Sequence, residues 1–408
     1  MERINSISKK LQKPSSDKIV DDSISWLGFD KFFTSEVNEF RKNLRAILDN
    51  EVKPFMPELI EKAEFPEKFL PVLAKLNLGQ IYCSKPYGEG KNMRKFIAAI
   101  IELARCDASL ATLYLVHICL FVNTIDDYGS EEQKKIILPD AVAFKLIGGW
   151  GLTEEDIGSD ASSLKTRCKK QPDGNWIING NKRWIGNANK DSMIVFARDE
   201  DTNKVLGFIV YLNNNPSVKR SRIENKMALR SVQNMALEFN DLKIEEKWRL
   251  PKVIDFSSVA NMLAHSRLYV SWVACGIGIG IYDNVITYLD SRTQFNKKLT
   301  GFQLIQEKLS RIMGNVQASL HLVAKLAELK EKDESTIGKL ALGKAWVTSR
   351  IRETAALGRE MLGGNGIVLD NYVMKAFCDM EAIYTYEGTY DINCLVVGRE
   401  LTGLSAFK

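Results

Sequence analysis

Metal-ligating pairs are missing from this sequence. Its seven cysteines, at positions 83, 106, 119, 168, 275, 378 and 394, form no Cys-x-x-Cys pair, and only three histidines exist to complete a site. That pattern excludes the common zinc frameworks and a disulfide scaffold, so we expect reduced thiols and no metal. Blocks of like charge are missing too. A net charge of +5 is spread over 408 residues, which gives no reason to expect a nucleic-acid partner. The densest basic cluster, Lys219-Arg220-Ser221-Arg222, reads as a solvated loop. The longest apolar run, residues 110–122, is interrupted by His117 and has only 13 residues, too short to span a bilayer. A buried helix explains it better. The first 22 residues are polar, without the apolar core of a secretory signal, and their acids fit a mitochondrial presequence poorly. The terminal Ala406-Phe407-Lys408 is not the Ser-Lys-Leu type of peroxisomal address.

What is present is an ordinary globular composition, 45% apolar and 26% charged, with enough chain for two or three domains. After a tail over 1–25, residues 26–146 carry a helical period throughout. Ser130-Glu-Glu-Gln133 opens the last of these helices as a capping box, and Pro139 closes it. The period changes at Ile147. Residues 176–185 read as two β-rich runs about an Asn-Gly turn, with further strands over 192–198, 205–211 and 235–239, so 147–257 is a β domain of barrel or sandwich size. Over 258–408 the helical period returns, with helices at 258–290, 336–361 and 390–402. Ile305, Leu309, Ile312, Val316, Leu320, Val323 and Ala327 form the seam of a long antiparallel bundle. Gly276-Ile-Gly-Ile-Gly280 has the look of a nucleotide loop, but no strand precedes it. Close helix packing accounts for it.

The stretch richest in chemistry is Glu381-Ala-Ile-Tyr-Thr-Tyr-Glu-Gly-Thr-Tyr-Asp-Ile-Asn393. Glu387 sits between aromatics and is followed by Gly388, which has no side chain to shield it. A carboxylate among apolar rings has its charged form disfavoured, and its pKa rises toward the range of a general base. The competing reading is a solvated acid at the start of a terminal helix.

Six stretches in order, Tyr128-Gly-Ser-Glu-Glu-Gln133 with Pro139, Gly151-Leu-Thr-Glu154 with Gly158-Ser-Asp160, Trp184-Ile-Gly-Asn187, Arg292-Thr-Gln-Phe295, Leu362-Gly-Gly-Asn-Gly366 and Tyr386-Glu-Gly-Thr389, give the chain its family resemblance. It resembles the acyl-CoA dehydrogenase and oxidase superfamily from about Asp30 to Lys408. It looks most like the glutaryl-CoA dehydrogenase branch and the plant-type short-chain acyl-CoA oxidases, sharing Lys344-Ala-Trp346 and Phe377-Cys-Asp379 with the latter. The resemblance implies an α+β fold with an N-terminal helical domain, a middle β-barrel or sandwich and a C-terminal four-helix bundle.

It further implies FAD as cofactor. Leu152, Thr153, Trp184, Ile185 and Gly186 would line the flavin ring, although Trp184 also fits an ordinary core aromatic. Arg292 would bind the pyrophosphate across a subunit interface, a task suited to a planar charged fork. Gln303 and the loop Glu360, Met361, Leu362, Gly363 and Gly364 would contact the ribose and adenine end, while the Gly pair taken alone reads as a helix C-cap. Thr389 and Phe407 would complete the pocket. A homodimer or homotetramer follows from a site shared between chains. For the acyl-CoA substrate, Ser159, Arg267 and Gly388 match contact positions, with a surface ion pair the alternative for Arg267. Glu387 would take the α-proton as the β-hydrogen leaves as hydride, giving a trans-2-enoyl-CoA. The compartment implied is peroxisomal or mitochondrial.

Three departures matter. Gly186 stands where the dehydrogenases carry Thr or Ser, which favours oxygen as acceptor over an electron-transferring flavoprotein. Ala111 stands where the glutaryl branch has an Arg for a second carboxylate, so a dicarboxylyl substrate is not expected. Glu155 replaces the usual Pro. Asp at position 387 would mark a nitroalkane oxidase and no acid there a hydroxylase, and a non-catalytic scaffold should have lost Arg292, the 362–366 loop or Glu387.

Overall fold

The computed structural model of the chain describes residue 20 and residues 22–406. The expected tail over 1–25 lies almost wholly outside the described residues, as does Phe407.

The N-terminal part is helical: α1 (Ser35–Glu51), α2 (Met56–Lys62), α3 (Leu70–Lys75), α4 (Met93–Cys106), α5 (Ala108–Leu115), α6 (Asn123–Tyr128) and α7 (Glu131–Val142). A π-helical segment, Val116–Val122, joins α5 to α6. Such widened turns occur often at functional sites. The Ser130/Gln133 capping box forms as expected. Pro139, however, does not close α7, which continues to Val142. The carbonyl it leaves free, that of Lys135, is on the exposed face, where water can bind it. His117 is fully buried in the π-helical segment, and burial holds it down at about 4, hence neutral. Its Nε2 donates to the Ala141 carbonyl (2.8 Å) and its Nδ1 accepts from the Gly148 amide (3.1 Å), pinning the segment to α7 and to the first strand.

Seven strands follow: β1 (Gly148–Gly151), β2 (Arg167–Lys170), β3 (Trp176–Ile185), β4 (Ser192–Asp199), β5 (Val205–Tyr211), β6 (Val218–Arg222) and β7 (Met235–Ile244). They make one sheet in the order β1-β4-β2-β3-β7-β6, with β5 on β4. Its core includes Ile178, Val195, Phe208, Leu237 and Phe239. The expected hairpin at Asn179-Gly180 is absent: β3 runs straight through it, with an irregularity in its pairing to β7 between Ile178 and Gly180. Gly180 has φ 144, and a Cβ there would lie 2.7 Å from the Thr166 Cα, so glycine serves close backbone approach rather than a turn. The basic cluster at 219–222 is not a loop either. It is most of β6, where Lys219 pairs across the strands with Glu238.

The C-terminal part holds α8 (Phe256–Ser291), α9 (Gln303–Glu331), α10 (Ile337–Met361), α11 (Tyr372–Thr385) and α12 (Tyr390–Thr402). Helix α11 was not among the helices expected from the period. Ile312, Val316, Leu320, Val323 and Ala327 form the fully buried part of the α9 seam. A Cβ on Gly276 would meet the Ile101 carbonyl at 2.5 Å and one on Gly280 the Arg105 carbonyl at 2.6 Å, so these glycines let α8 approach α4. Helical stretches Ala108–Tyr128 and Phe256–Ser291 are long and apolar enough to cross a membrane, contrary to the reading of the shorter run. Yet 89% and 83% of their apolar windows lie inside the fold, which makes them core helices.

One ionic cluster ties the three parts together. Asp107 caps α5 through the Leu110 amide (2.9 Å) and pairs with Lys375 Nζ (2.8 Å); Lys375 also pairs with Asp379, which accepts from the Leu229 amide (2.6 Å). The cluster anchors α11, and α11 ends beside Glu387.

Candidate active site

The connection from α11 to α12 reverses through two consecutive left-handed residues, Glu387 (φ 54) and Gly388 (φ 85). Glycine adopts that conformation freely, but at Glu387 it costs about 1–2 kcal/mol. Strain of this kind persists only where the surroundings over-determine it. Here five groups do so. Thr389 caps α12 by accepting from the Ile392 amide (3.2 Å). Asn393 Nδ2 donates to the carbonyls of Gly388 (2.8 Å) and Thr389 (3.0 Å). Lys344 Nζ, buried on α10, donates to the carbonyls of Tyr384 (2.8 Å) and Gly388 (2.7 Å). Arg267 Nε on α8 donates to the Glu387 carbonyl (3.4 Å). Finally, Ser266 Oγ donates to the Glu387 carboxylate (2.6 Å).

Glu387 is therefore not a solvated acid at a helix start. It is half-buried, and burial pushes its carboxyl above the ordinary range, against the opposing pull of the Ser266 hydroxyl and the Arg267 and Lys344 cations. Arg267 is not a surface ion-pair partner: it is buried and its guanidinium faces the Glu387 turn.

The segments expected to line the flavin come together beside the π-helical segment. The Arg183 amide donates to the Thr153 carbonyl (2.8 Å), bringing Leu152 and Thr153 beside the end of β3. Lys182 locks them there, donating to the Leu152 carbonyl (3.0 Å) and to Glu154 (2.9 Å); Glu154 also accepts from the amides of Lys165 (2.6 Å) and Thr166 (2.9 Å). Glu154 is thus a structural part of its motif. Trp184 is no core aromatic: it has φ 65, is 50% exposed, and carries the Arg183 guanidinium 5.5 Å from its ring centre. Ile185 and Gly186 are buried. A Cβ on Gly186 would sit 3.5 Å from Val232 and 3.7 Å from Val116, the first π-helical residue. From the same segment Cys119 feels the charge of Glu387, and from α5 the Thr112 Oγ lies 3.5 Å from the Tyr386 hydroxyl. Leu152, Thr153, Ile185 and Gly186 thus lie near the π-helical segment, whose Cys119 in turn feels Glu387 on the turn that Thr389 caps.

The remaining expected cofactor residues form a second group. Arg292 ends α8, exposed, and its guanidinium makes no hydrogen bond or ion pair among the described residues. Gln303 begins α9, also exposed. Glu360 is bridged to Lys308 (2.6 Å). Met361 and Leu362 are buried, while Gly363 and Gly364 are exposed with nothing within 4 Å of where a Cβ would stand. The loop is docked to α8 by Asn365 donating to the Tyr288 hydroxyl (2.8 Å). Among the described residues no hydrogen bond or ion pair joins this group directly to Glu387. Ser159 is in an exposed loop after β1.

Ser266, Lys344 and Asn393 escaped assignment to the site. Asn393 stands in the quoted motif itself, and Lys344 in a stretch noted for resemblance. Ser266 meets Glu387 across 121 positions, a separation no periodicity reveals.

A helical domain, a β domain and a helical bundle, with a half-buried carboxylate held beside a left-handed glycine, define the acyl-CoA dehydrogenase class. Family descriptions of the acyl-CoA dehydrogenase N-terminal, middle and C-terminal domains match residues 34–145, 149–242 and 256–402. The chain belongs to the acyl-CoA dehydrogenase family. The Mycobacterium tuberculosis protein named "Probable acyl-CoA dehydrogenase FadE25" is 30% identical over 389 residues, 93% of this chain and 99% of that protein. A glutaryl-CoA dehydrogenase from Mycobacterium smegmatis, solved in complex with FADH2, superposes with TM-score 0.90 at 28% identity, covering 95% of this chain and 99% of that one. Butyryl-CoA dehydrogenase from Megasphaera elsdenii superposes at 0.85 and 28% identity, covering 90% and 98%.

Proposed function

We propose that the protein is an FAD-dependent enzyme that desaturates an acyl-CoA thioester between Cα and Cβ, giving a trans-2-enoyl-CoA. The observation that carries this reading is the Glu387 turn: a raised, half-buried carboxylate held in a strained conformation by five neighbours. The residues present suit FAD. Arg292 offers an uncommitted planar fork for the pyrophosphate, Gly363 and Gly364 offer unobstructed backbone, and the half-exposed Trp184 with the buried Gly186 offers a wall for the ring. Because Arg292 and the 363–364 backbone form a group apart from Glu387, we propose a homo-oligomer in which each site draws on two chains.

FAD, when bound, supplies the acceptor for the hydride leaving Cβ. Glu387 takes the α-proton, and its raised pKa makes it a stronger base than an ordinary Glu. The α-proton of a thioester is too weakly acidic for a carboxylate alone, so the Glu387 backbone amide is proposed to donate to the thioester carbonyl and stabilise the developing enolate. Molecular oxygen is the acceptor we favour for the reduced enzyme, on the single observation that Gly186 leaves van der Waals space between Val116 and Val232. An electron-transferring flavoprotein is the alternative. Ala111, buried and uncharged, gives no partner for a second carboxylate, so straight monocarboxylic acyl chains are proposed.

The test is a panel of acyl-CoAs mixed anaerobically with the yellow enzyme. Bleaching of the flavin by a straight-chain substrate supports desaturation; a flavin untouched by every member refutes it. Admitting air and measuring peroxide against reduction of an electron-transferring flavoprotein then assigns the acceptor.

A further inference from the structure

Lys344 is fully buried on α10, 43 residues before the acid in sequence, and has no carboxylate within ion-pair distance among the described residues. A lysine in that setting needs a reason, since an unpaired buried ammonium is costly. Its contacts supply one. The Tyr384 carbonyl lies in the last turn of α11, where carbonyls have no helical partner and the negative end of the helix dipole favours a cation. The Gly388 carbonyl lies on the far side of Glu387. Lys344 spans the turn, three residues before the acid and one after it, at 2.8 and 2.7 Å.

We infer that Lys344 is a positioning residue that staples the end of α11 to the start of α12, holding Glu387 in its left-handed conformation with its carboxylate on Ser266, and that its charge sets the basicity of Glu387. The inference rests on the reading of Glu387 as the base. The geometry makes the two effects inseparable in the native protein: the same ammonium that ties the carbonyls is close enough to favour the ionised carboxylate. The charged or titratable groups bearing on the pair are Arg267 from α8, Cys119 from the π-helical segment and Tyr386 within the turn. Burial holds Lys344 itself down at about 7, so its charge changes within the working pH range.

Three variants separate staple from charge. Lys344→Met removes both, Lys344→Gln keeps a donor without charge, and Lys344→Arg keeps charge and two donors. The readout is the rate of anaerobic flavin reduction by acyl-CoA as a function of pH, alongside a crystal structure of each variant. The expected result is a 10- to 100-fold slower reduction in Lys344→Met with flavin retained, a low-pH limb displaced upward in both Met and Gln variants because the cation is gone, and recovery to within several-fold in Lys344→Arg. A Lys344→Met or Lys344→Gln enzyme with the native rate and native limb overturns the inference. So does a variant structure in which residue 387 keeps φ near its native value and its bond to Ser266, and that arm needs no substrate. A wild-type flavin that no acyl-CoA bleaches would refute the proposed function, while the structural arm would still decide the staple.

Discussion

Two regions of this molecule carry the residues proposed to serve the reaction and its flavin, and they are built in opposite ways. Around Glu387 almost every polar group is committed within the chain: Ser266, Arg267, Lys344 and Asn393 all spend their donors on the turn. Around Arg292 the groups are uncommitted, with an exposed guanidinium, Phe295 at 90% exposure, Leu304 at 76% and two unobstructed glycines. The first region is pre-organised to do chemistry at one atom. The second brings exposed charged and apolar groups together on one surface, although Phe295 keeps an edge contact with Phe302 and Glu360 its bridge to Lys308. On the proposed function, the contrast means that the base is held inside one chain while the grip on the cofactor is left to assembly.

The largest effect should come from the committed region. Glu387→Gln keeps the shape of the turn and the Ser266 contact but removes the base, so flavin reduction by acyl-CoA should fall by at least about 10²–10⁴-fold while flavin remains bound. Reduction at the wild-type rate, followed by loss of the oxidised-flavin absorbance in a stopped-flow instrument, would sink the assignment of the base.

Arg292→Ala should instead act on the cofactor. A charge-assisted bidentate contact contributes about 1.5–3 kcal/mol, so flavin affinity should drop by about 10- to 100-fold, with the turn at Glu387 unchanged. Diluting the wild-type protein until the oligomer dissociates should mimic this loss. If flavin stays on diluted, monomeric protein, as seen by sedimentation with absorbance detection, the contrast between the two regions is broken and the site is complete in one chain.

The pH dependence sharpens the electrostatic side of the same contrast. Proton abstraction needs Glu387 ionised, and burial raises its pKa, so reduction should rise with pH and level off above a midpoint higher than an ordinary Glu. The Ser266 hydroxyl lowers that pKa. Ser266→Ala should therefore move the limb further up, slowing the enzyme at low pH more than at high pH. An unshifted limb in this variant would place the controlling proton elsewhere.

How much of this was legible in the sequence depends on range. The helices of α8, α9 and α10 could be read because their apolar spacing is a local signal, and the α9 seam from Ile312 to Ala327 is buried as its spacing demands. Asn179-Gly180 misled because a turn dipeptide and a bulge use the same residue for the same freedom, and only Thr166, packed against Gly180, distinguishes them. Glu387 and Gly388 were legible as an acid beside an open backbone. Their supports were not, since Ser266 and Lys344 reach the turn from separate helices, and nothing in a helical period says which residue of a buried face meets a distant loop.

The smallest effect should come at Gly186, buried just after β3. Its backbone is not left-handed, and an added Cβ would make ordinary contacts with Val232 and Val116, so Gly186→Thr should fold with little loss of stability. The side chain would occupy the space that we propose leaves the flavin edge open to oxygen. Reduction by acyl-CoA, governed by Glu387, should change less than about threefold, whereas reoxidation by oxygen should slow by about tenfold, the two rates being separable by mixing pre-reduced enzyme with aerated buffer. If reoxidation is instead unchanged, or was negligible already in the wild type, Gly186 does not control the acceptor and the electrons leave by way of a protein partner.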